Sequence, residues 1–165
     1  MINLKKEKIW ITGHNGMVGK ALCSQLIDLD LVTASSKELD LRDENAVTNF
    51  VQYHKPTVVF NLAAKVGGIQ ANQTRPVEFL LDNLKIQNNV IQAAETTDVK
   101  KLIFLGSACT YPKMADQPIP EEALFTGEIE PTNIWYATAK LAGIKLAQAM
   151  LFENRLNSLI VMPAN

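Results

Sequence analysis

The sequence predicts a doubly wound α/β fold of Rossmann type, from three observations. Short apolar runs of strand length alternate with stretches of helical period. The first run, Lys8-Ile9-Trp10-Ile11-Thr12, leads directly into glycines at 13, 16 and 19 that open a helix. A later run, Lys101-Leu102-Ile103-Phe104-Leu105, ends in Gly106 and Ser107, placing polar groups just past a strand's carboxyl end. Ligands bind at that edge of an open parallel sheet.

The elements follow in order. After the 8–12 strand, the period of Met17 to Leu29 puts Val18, Leu22, Leu26 and Leu29 on one helical face. Leu31-Val32-Thr33 reads as a second strand and Glu38-Leu39-Asp40-Leu41 as a short third segment. Asp43 caps a helix running to about His54, which the Lys55-Pro56 junction ends. Thr57 to Leu62 is the next buried strand, followed by a glycine-containing loop, Lys65-Val66-Gly67-Gly68-Ile69. Pro76 opens a long helix to about Thr96. The 101–105 strand comes next, then a proline-rich loop from Pro112 to Pro131. A helix from Asn133 to about Asn154 and a last strand, Ser158 to Met162, complete the pattern. Buried strands alternating with helices imply a parallel sheet covered on both faces.

The 165 residues suffice for one domain with a sizeable core, and 47% hydrophobic content suits a soluble globular chain. A net charge of −1 gives no electrostatic case for a nucleic-acid or anionic-membrane partner. Two distant cysteines, Cys23 and Cys109, form neither a disulfide framework nor a metal-spaced pair. The N-terminus lacks the pattern of a signal peptide and no run is long enough to span a membrane, so a cytoplasmic location is expected. The last strand stops three residues before Asn165, where a ligand-facing loop should begin. The chain therefore reads as the front half of a larger protein: residues 1–165 form an incomplete dinucleotide-binding domain without a substrate-binding domain.

Gly13-His14-Asn15-Gly16-Met17-Val18-Gly19 is a GxxGxxG turn between strand and helix. Its glycines admit a tight turn and close approach of a pyrophosphate to the helix N-terminus. Past the second strand, Thr33-Ala34-Ser35-Ser36-Lys37 offers hydroxyls and a cation but no acid before Glu38, which suits a 2′-phosphate and favours NADP(H). Ser36 and Lys37 are the candidates to hold it, with Asp40 and Leu41 by the adenine. Ala63 and Ala64 are small enough to let the cofactor lie close to the backbone. Leu105, Gly106, Ser107 and Ala108 at one strand end, and Pro163, Ala164 and Asn165 after the last strand, complete the expected cofactor wall.

Tyr136 and Lys140 stand four residues apart on one helical face. A neighbouring ammonium favours the phenolate and makes the tyrosine a better proton shuttle, and Ser107 can orient the same carbonyl oxygen. Cys109, two residues beyond Ser107 on the same face of an extended segment, is placed to exchange protons with carbon. Cys23 reads as packing, and neither His14 nor His54 takes a catalytic role.

These segments, with Ala63-Ala64-Lys65-Val66-Gly67-Gly68-Ile69, the Ser107-x-Cys109-x-Tyr111-Pro112-Lys113 run and Glu130-Pro131-Thr132-Asn133 before Tyr136, resemble the extended short-chain dehydrogenase/reductase superfamily. More narrowly they resemble its nucleotide-sugar epimerase-reductases, the GDP-L-fucose synthase family. The resemblance implies epimerisation at C3 and C5 of a GDP-4-keto-6-deoxy sugar, then reduction of the 4-keto group with NADPH. It makes Tyr136, Lys140, Ser107 and Cys109 the catalytic set, with Lys140 also on the nicotinamide ribose. It implies a homodimer through the 76–96 and 133–154 helices. It also implies a sugar-binding second domain and a histidine partner for Cys109, both beyond Asn165. The family's usual arginines at the positions of Asn15 and Ser36 are absent. A nucleotide-sugar 4-epimerase or 4,6-dehydratase, or a non-catalytic cofactor-binding fragment, is the alternative.

Overall fold

The computed structural model describes residues 2–163. Its strands are β1 (Lys8–Thr12), β2 (Asp30–Val32), β3 (Val58–Asn61), β4 (Lys101–Leu105) and β5 (Ser158–Val161), lying in the order β2-β1-β3-β4-β5. Every pairing is parallel, with Ile9 opposite Val58, Val58 opposite Lys101 and Leu102 opposite Ser158. The chain runs outward from β1 to β2 and then returns to β3 on the other side. The topological switch point therefore falls between β1 and β3, where such sheets open a crevice at the strand carboxyl ends.

Period-two side chains divide the core. Trp10, Val59, Leu102 and Phe104 pack on one face against Val47 and Val51 of α2 (Glu44–His54), Val90 and Ile91 of α4 (Asn83–Glu95), and Ile144 and Met150 of α5 (Ile134–Phe152). On the other face Ile9, Ile11 and Val58 meet Leu22 and Cys23 of α1 (Met17–Gln25), with Leu26 and Leu29 just beyond it. Cover on this second face thins toward β5, where Leu159 and Val161 are 49% and 40% exposed.

Four sequence expectations change. The first helix stops at Gln25, and Val18 is exposed because its turn faces the crevice and not the sheet. Glu38-Leu39-Asp40-Leu41 forms turns: the Glu38 carboxylate accepts from the Ser35 amide and hydroxyl, both at 2.7 Å, and closes the chain on itself. The loop after β3 is shorter than its glycines suggest, because Ile69–Thr74 forms a further helix, α3. The helix opened by Pro76 runs to Glu95 but contains a π-helical turn at Glu78–Asp82.

The α2 cap is as expected: the Asp43 carboxylate accepts from the Ala46 amide at 3.0 Å. Asp43→Ala should cost about 1 kcal/mol of stability, read as a lower denaturation midpoint with an unchanged slope.

Candidate active site

The crevice at the switch point is a cavity of about 700 Å³. Its floor is the Gly13–Gly19 turn, all seven residues of which line it. Gly13 has φ of +69°, and a Cβ there would lie 2.9 Å from the backbone of Ala63. A side chain at Gly19 would press on the Gly13 carbonyl oxygen. Side chains at these two positions would push the turn off the backbone it packs against, and with them absent the turn keeps the α1 N-terminus at the cavity floor, an arrangement that fits a pyrophosphate. Thr12 locks the turn to the next strand: its hydroxyl accepts from the Leu62 and Ala63 amides, both at 3.1 Å, and donates to Asn61 at 3.0 Å.

Of the remaining sequence candidates, Ser36, Asp40, Leu41, Ala63, Ala64, Leu105, Gly106, Tyr136 and Lys140 also line the cavity. Lys37 is exposed on the turn outside it, and Ser107, Ala108, Cys109 and Pro163 lie off its lining. Ala164 and Asn165 fall outside the described residues.

At the far end, past β4, four groups converge. The chain after Ser107 is a 3-10 turn, Ala108–Thr110, not an extended segment. The Thr110 hydroxyl donates to the Ser107 carbonyl at 2.6 Å and fixes the turn. It brings Ser107 Oγ and Cys109 Sγ to 3.0 Å, with either able to donate. Tyr136 and Lys140 reach the same place from the first turns of α5. Lys140 is 2% exposed; its ammonium donates to the Leu105 carbonyl at 2.9 Å and lies 4.9 Å from the centre of the Phe104 ring.

Burial dominates the electrostatics here. It depresses Lys140 to about 8 and pushes Tyr136 up to about 12, with the nearby Cys109 adding to the tyrosine's rise and the Ser107 hydroxyl opposing it. Burial also raises the Cys109 thiol, against the pull of Ser107 and of the Lys140 charge. The expectation that Lys140 lowers the tyrosine is therefore corrected. The desolvated ammonium is committed to a backbone carbonyl, and loss of water around the phenolate sets the direction of the shift.

An ion network bounds the opposite end. Arg42 grips Asp40 through Nε at 2.9 Å and Nη2 at 2.7 Å and reaches Asp82 at 3.3 Å. Lys65 bonds Asp82 at 3.1 Å and also Glu78. The guanidinium and these hydrogen bonds hold Asp40 down at about 2. Asn83 clamps the backbone of Lys65, accepting its amide at 2.8 Å and donating to its carbonyl at 3.0 Å.

This geometry agrees with sequence comparison. Residues 9–165 match the NAD dependent epimerase/dehydratase family. The chain belongs to that family. It is 49% identical over 164 residues to GDP-L-fucose synthase 1 of Arabidopsis thaliana, covering 98% of this chain and 51% of that protein. It is 48% identical over 167 residues to the GDP-L-fucose synthase of Sinorhizobium fredii, covering 100% of this chain and 53% of that one. The chain thus spans about half the length of the curated relatives it matches. Among solved structures, a GDP-mannoheptose C4 reductase from Campylobacter jejuni with NADP bound superposes with a TM-score of 0.92 at 35% identity, over 98% of this chain and 52% of that one.

Within this epimerase/dehydratase chain, sequence reading missed Arg42, Asp82, Ile86 and the Asn83 clamp, although Arg42, Asp82 and Ile86 line the cavity. Asp82 and Ile86 come from a helix that carries no local motif: Asp82 ends its π turn and Ile86 lies in the α-helix that follows. Lys65 and Val66, in the glycine-containing loop singled out from sequence, do line the cavity. No helix among the described residues is long and apolar enough to cross a membrane.

Proposed function

We propose that residues 1–165 form the dinucleotide-binding and catalytic part of a nucleotide-sugar epimerase-reductase, converting GDP-4-keto-6-deoxy-D-mannose to GDP-L-fucose with NADPH. The observation that carries this reading is the cluster of Ser107, Cys109, Tyr136 and Lys140 past β4, with the thiol 3.0 Å from the serine hydroxyl. The half-length match to GDP-L-fucose synthases and the NADP-bound structural neighbour support the substrate class and cofactor. The sugar-binding surface of the whole protein belongs to the length of the relatives that this chain does not span.

In this mechanism Cys109 serves one face of the sugar at C3 and C5, next to the 4-keto group, and inversion uses a second acid/base group on the opposite face, the role of the histidine that the family resemblance implies beyond Asn165. Its burial favours the neutral thiol, the form that returns a proton to carbon, while the Lys140 charge eases the thiolate that removes one. Tyr136, held protonated by burial, donates a hydrogen bond to the keto oxygen, stabilises the enolate and supplies the proton to the C4 oxygen. Ser107 orients that oxygen. Lys140 binds the nicotinamide ribose hydroxyls and offsets phenolate charge once the proton has left. NADPH, when bound, supplies hydride to C4.

A second reading keeps the 4-keto reduction and changes the sugar: the Campylobacter jejuni neighbour, a GDP-mannoheptose C4 reductase, favours a GDP-4-keto heptose. The protein acts as a cytoplasmic homodimer in either case. Exposed Val77 and Leu81 on one helix, and Trp135, Leu151 and Phe152 on α5, support a helix-mediated interface.

The test joins this chain to the remaining half of the Sinorhizobium fredii relative and supplies GDP-4-keto-6-deoxy-D-mannose, NADPH and deuterated water. Deuterium should enter at C3 and C5 and GDP-L-fucose should form. Cys109→Ala should remove the deuterium uptake. A folded chimera that binds NADPH yet neither exchanges protons nor consumes cofactor sinks the proposal.

A further inference from the structure

The adenosine end of the cavity presents an unusual charge balance. In this fold the loop after β2 meets the adenosine ribose, and here Asn15, Ala34, Ser35 and Ser36 line that end. A dianionic 2′-phosphate there needs an unpaired cation, best a guanidinium able to bond two oxygens at once. Among the described residues the lysines and arginine that line the cavity are Arg42, Lys65 and Lys140, and each is already engaged.

Arg42 spends Nε and Nη2 on Asp40 and Nη1 on Asp82. Lys65 is divided between Glu78 and Asp82. Lys140 lies at the nicotinamide end, bonded to Leu105. Glu38 uses Oε2 on both the amide and the hydroxyl of Ser35. Like Lys37 it is exposed and outside the cavity lining, so the two opposite charges of this loop are screened alike and largely offset each other. Lys37, the cation this loop does carry, stands exposed outside the cavity, where water and salt screen it.

We propose that this chain discriminates weakly between NADPH and NADH, binding the two within tenfold of each other, because the cations lining the cavity are consumed by the Asp40–Arg42–Asp82–Lys65–Glu78 network and by Leu105. The inference rests on the dinucleotide site proposed above but not on the sugar or the reaction. It makes Ser36 a specificity-determining position: the hydroxyl suits a bare ribose, and a guanidinium in its place would add the missing phosphate ligand.

The test is calorimetric titration of the purified full chain with NADPH and with NADH at 0.15 M salt, repeated for Ser36→Arg, with circular dichroism reporting the fold. Dissociation constants within tenfold in the parent chain are expected. Ser36→Arg should tighten NADPH at least tenfold and leave NADH within about twofold. A parent preference for NADPH beyond tenfold overturns the inference while leaving the dinucleotide site intact. So does a folded Ser36→Arg chain with no gain for NADPH. A folded parent that binds neither cofactor overturns the dinucleotide reading and this inference with it.

Discussion

Lys140→Met should make this chain more stable at pH 7, by about 2 kcal/mol. Burial lowers the ammonium from 10.5 to about 8, a cost of about 3 kcal/mol while it remains charged. Methionine removes that cost but leaves the Leu105 carbonyl without its donor, which gives back about 1 kcal/mol. The pH dependence separates this explanation from simple repacking. Below about pH 8 the lysine is protonated in both folded and unfolded chains, so the whole cost is present. Between about 8 and 10.5 the folded chain has lost the proton and the unfolded chain has not, so stability of the parent rises with pH. Denaturant melts across this window should show the parent catching up with the variant. Tyr136, raised from 10.0 to about 12, makes both chains less stable above pH 10 and largely cancels in the difference. Equal stability at pH 7 with parallel curves would mean that the ammonium is not desolvated. A charge retained at such a cost, with no carboxylate bonded to it among the described residues, marks a position kept for what it binds and not for the fold.

The parts of this site that sequence reading located are those built by consecutive residues. The GxxGxxG turn, the Asp43 cap and the Tyr136–Lys140 pair depend on local spacing, and local spacing survives folding. Where sequence reading failed, residues distant in the chain decide the outcome. The Lys140 ammonium bonds a carbonyl 35 residues away, and burial reverses the expected shift of the phenol. Glu38 was read within a short segment, yet its own side chain folds back on Ser35 and makes a turn. Asp82, at the end of a π turn that no period in the sequence announces, joins Arg42, 40 positions distant. Cys109 stands beside Ser107 through a 3-10 turn and not along the extended segment expected.

Gly13→Val should weaken dinucleotide binding by about a hundredfold or more. The residue sits at φ of +69°, where a side chain costs about 1–2 kcal/mol and a β-branched one more. The added Cβ would also stand 2.9 Å from Ala63, closer than real Cβ atoms come to backbone. Ala63 cannot yield cheaply, because its amide and that of Leu62 are both held by the Thr12 hydroxyl, itself 2% exposed. The turn must therefore move, carrying with it the amides that face the pyrophosphate and the α1 N-terminus behind them. Losing about 3 kcal/mol of that interaction corresponds to the hundredfold. Gly13→Ala, with the same Cβ and no branch, should fall between parent and valine. Fluorescence titration with a reduced nicotinamide cofactor reads the binding loss, and a melt without cofactor reads the backbone strain separately. If the valine variant melts lower yet its folded fraction binds as the parent does, then the turn tolerates displacement and the pyrophosphate is held elsewhere along the crevice.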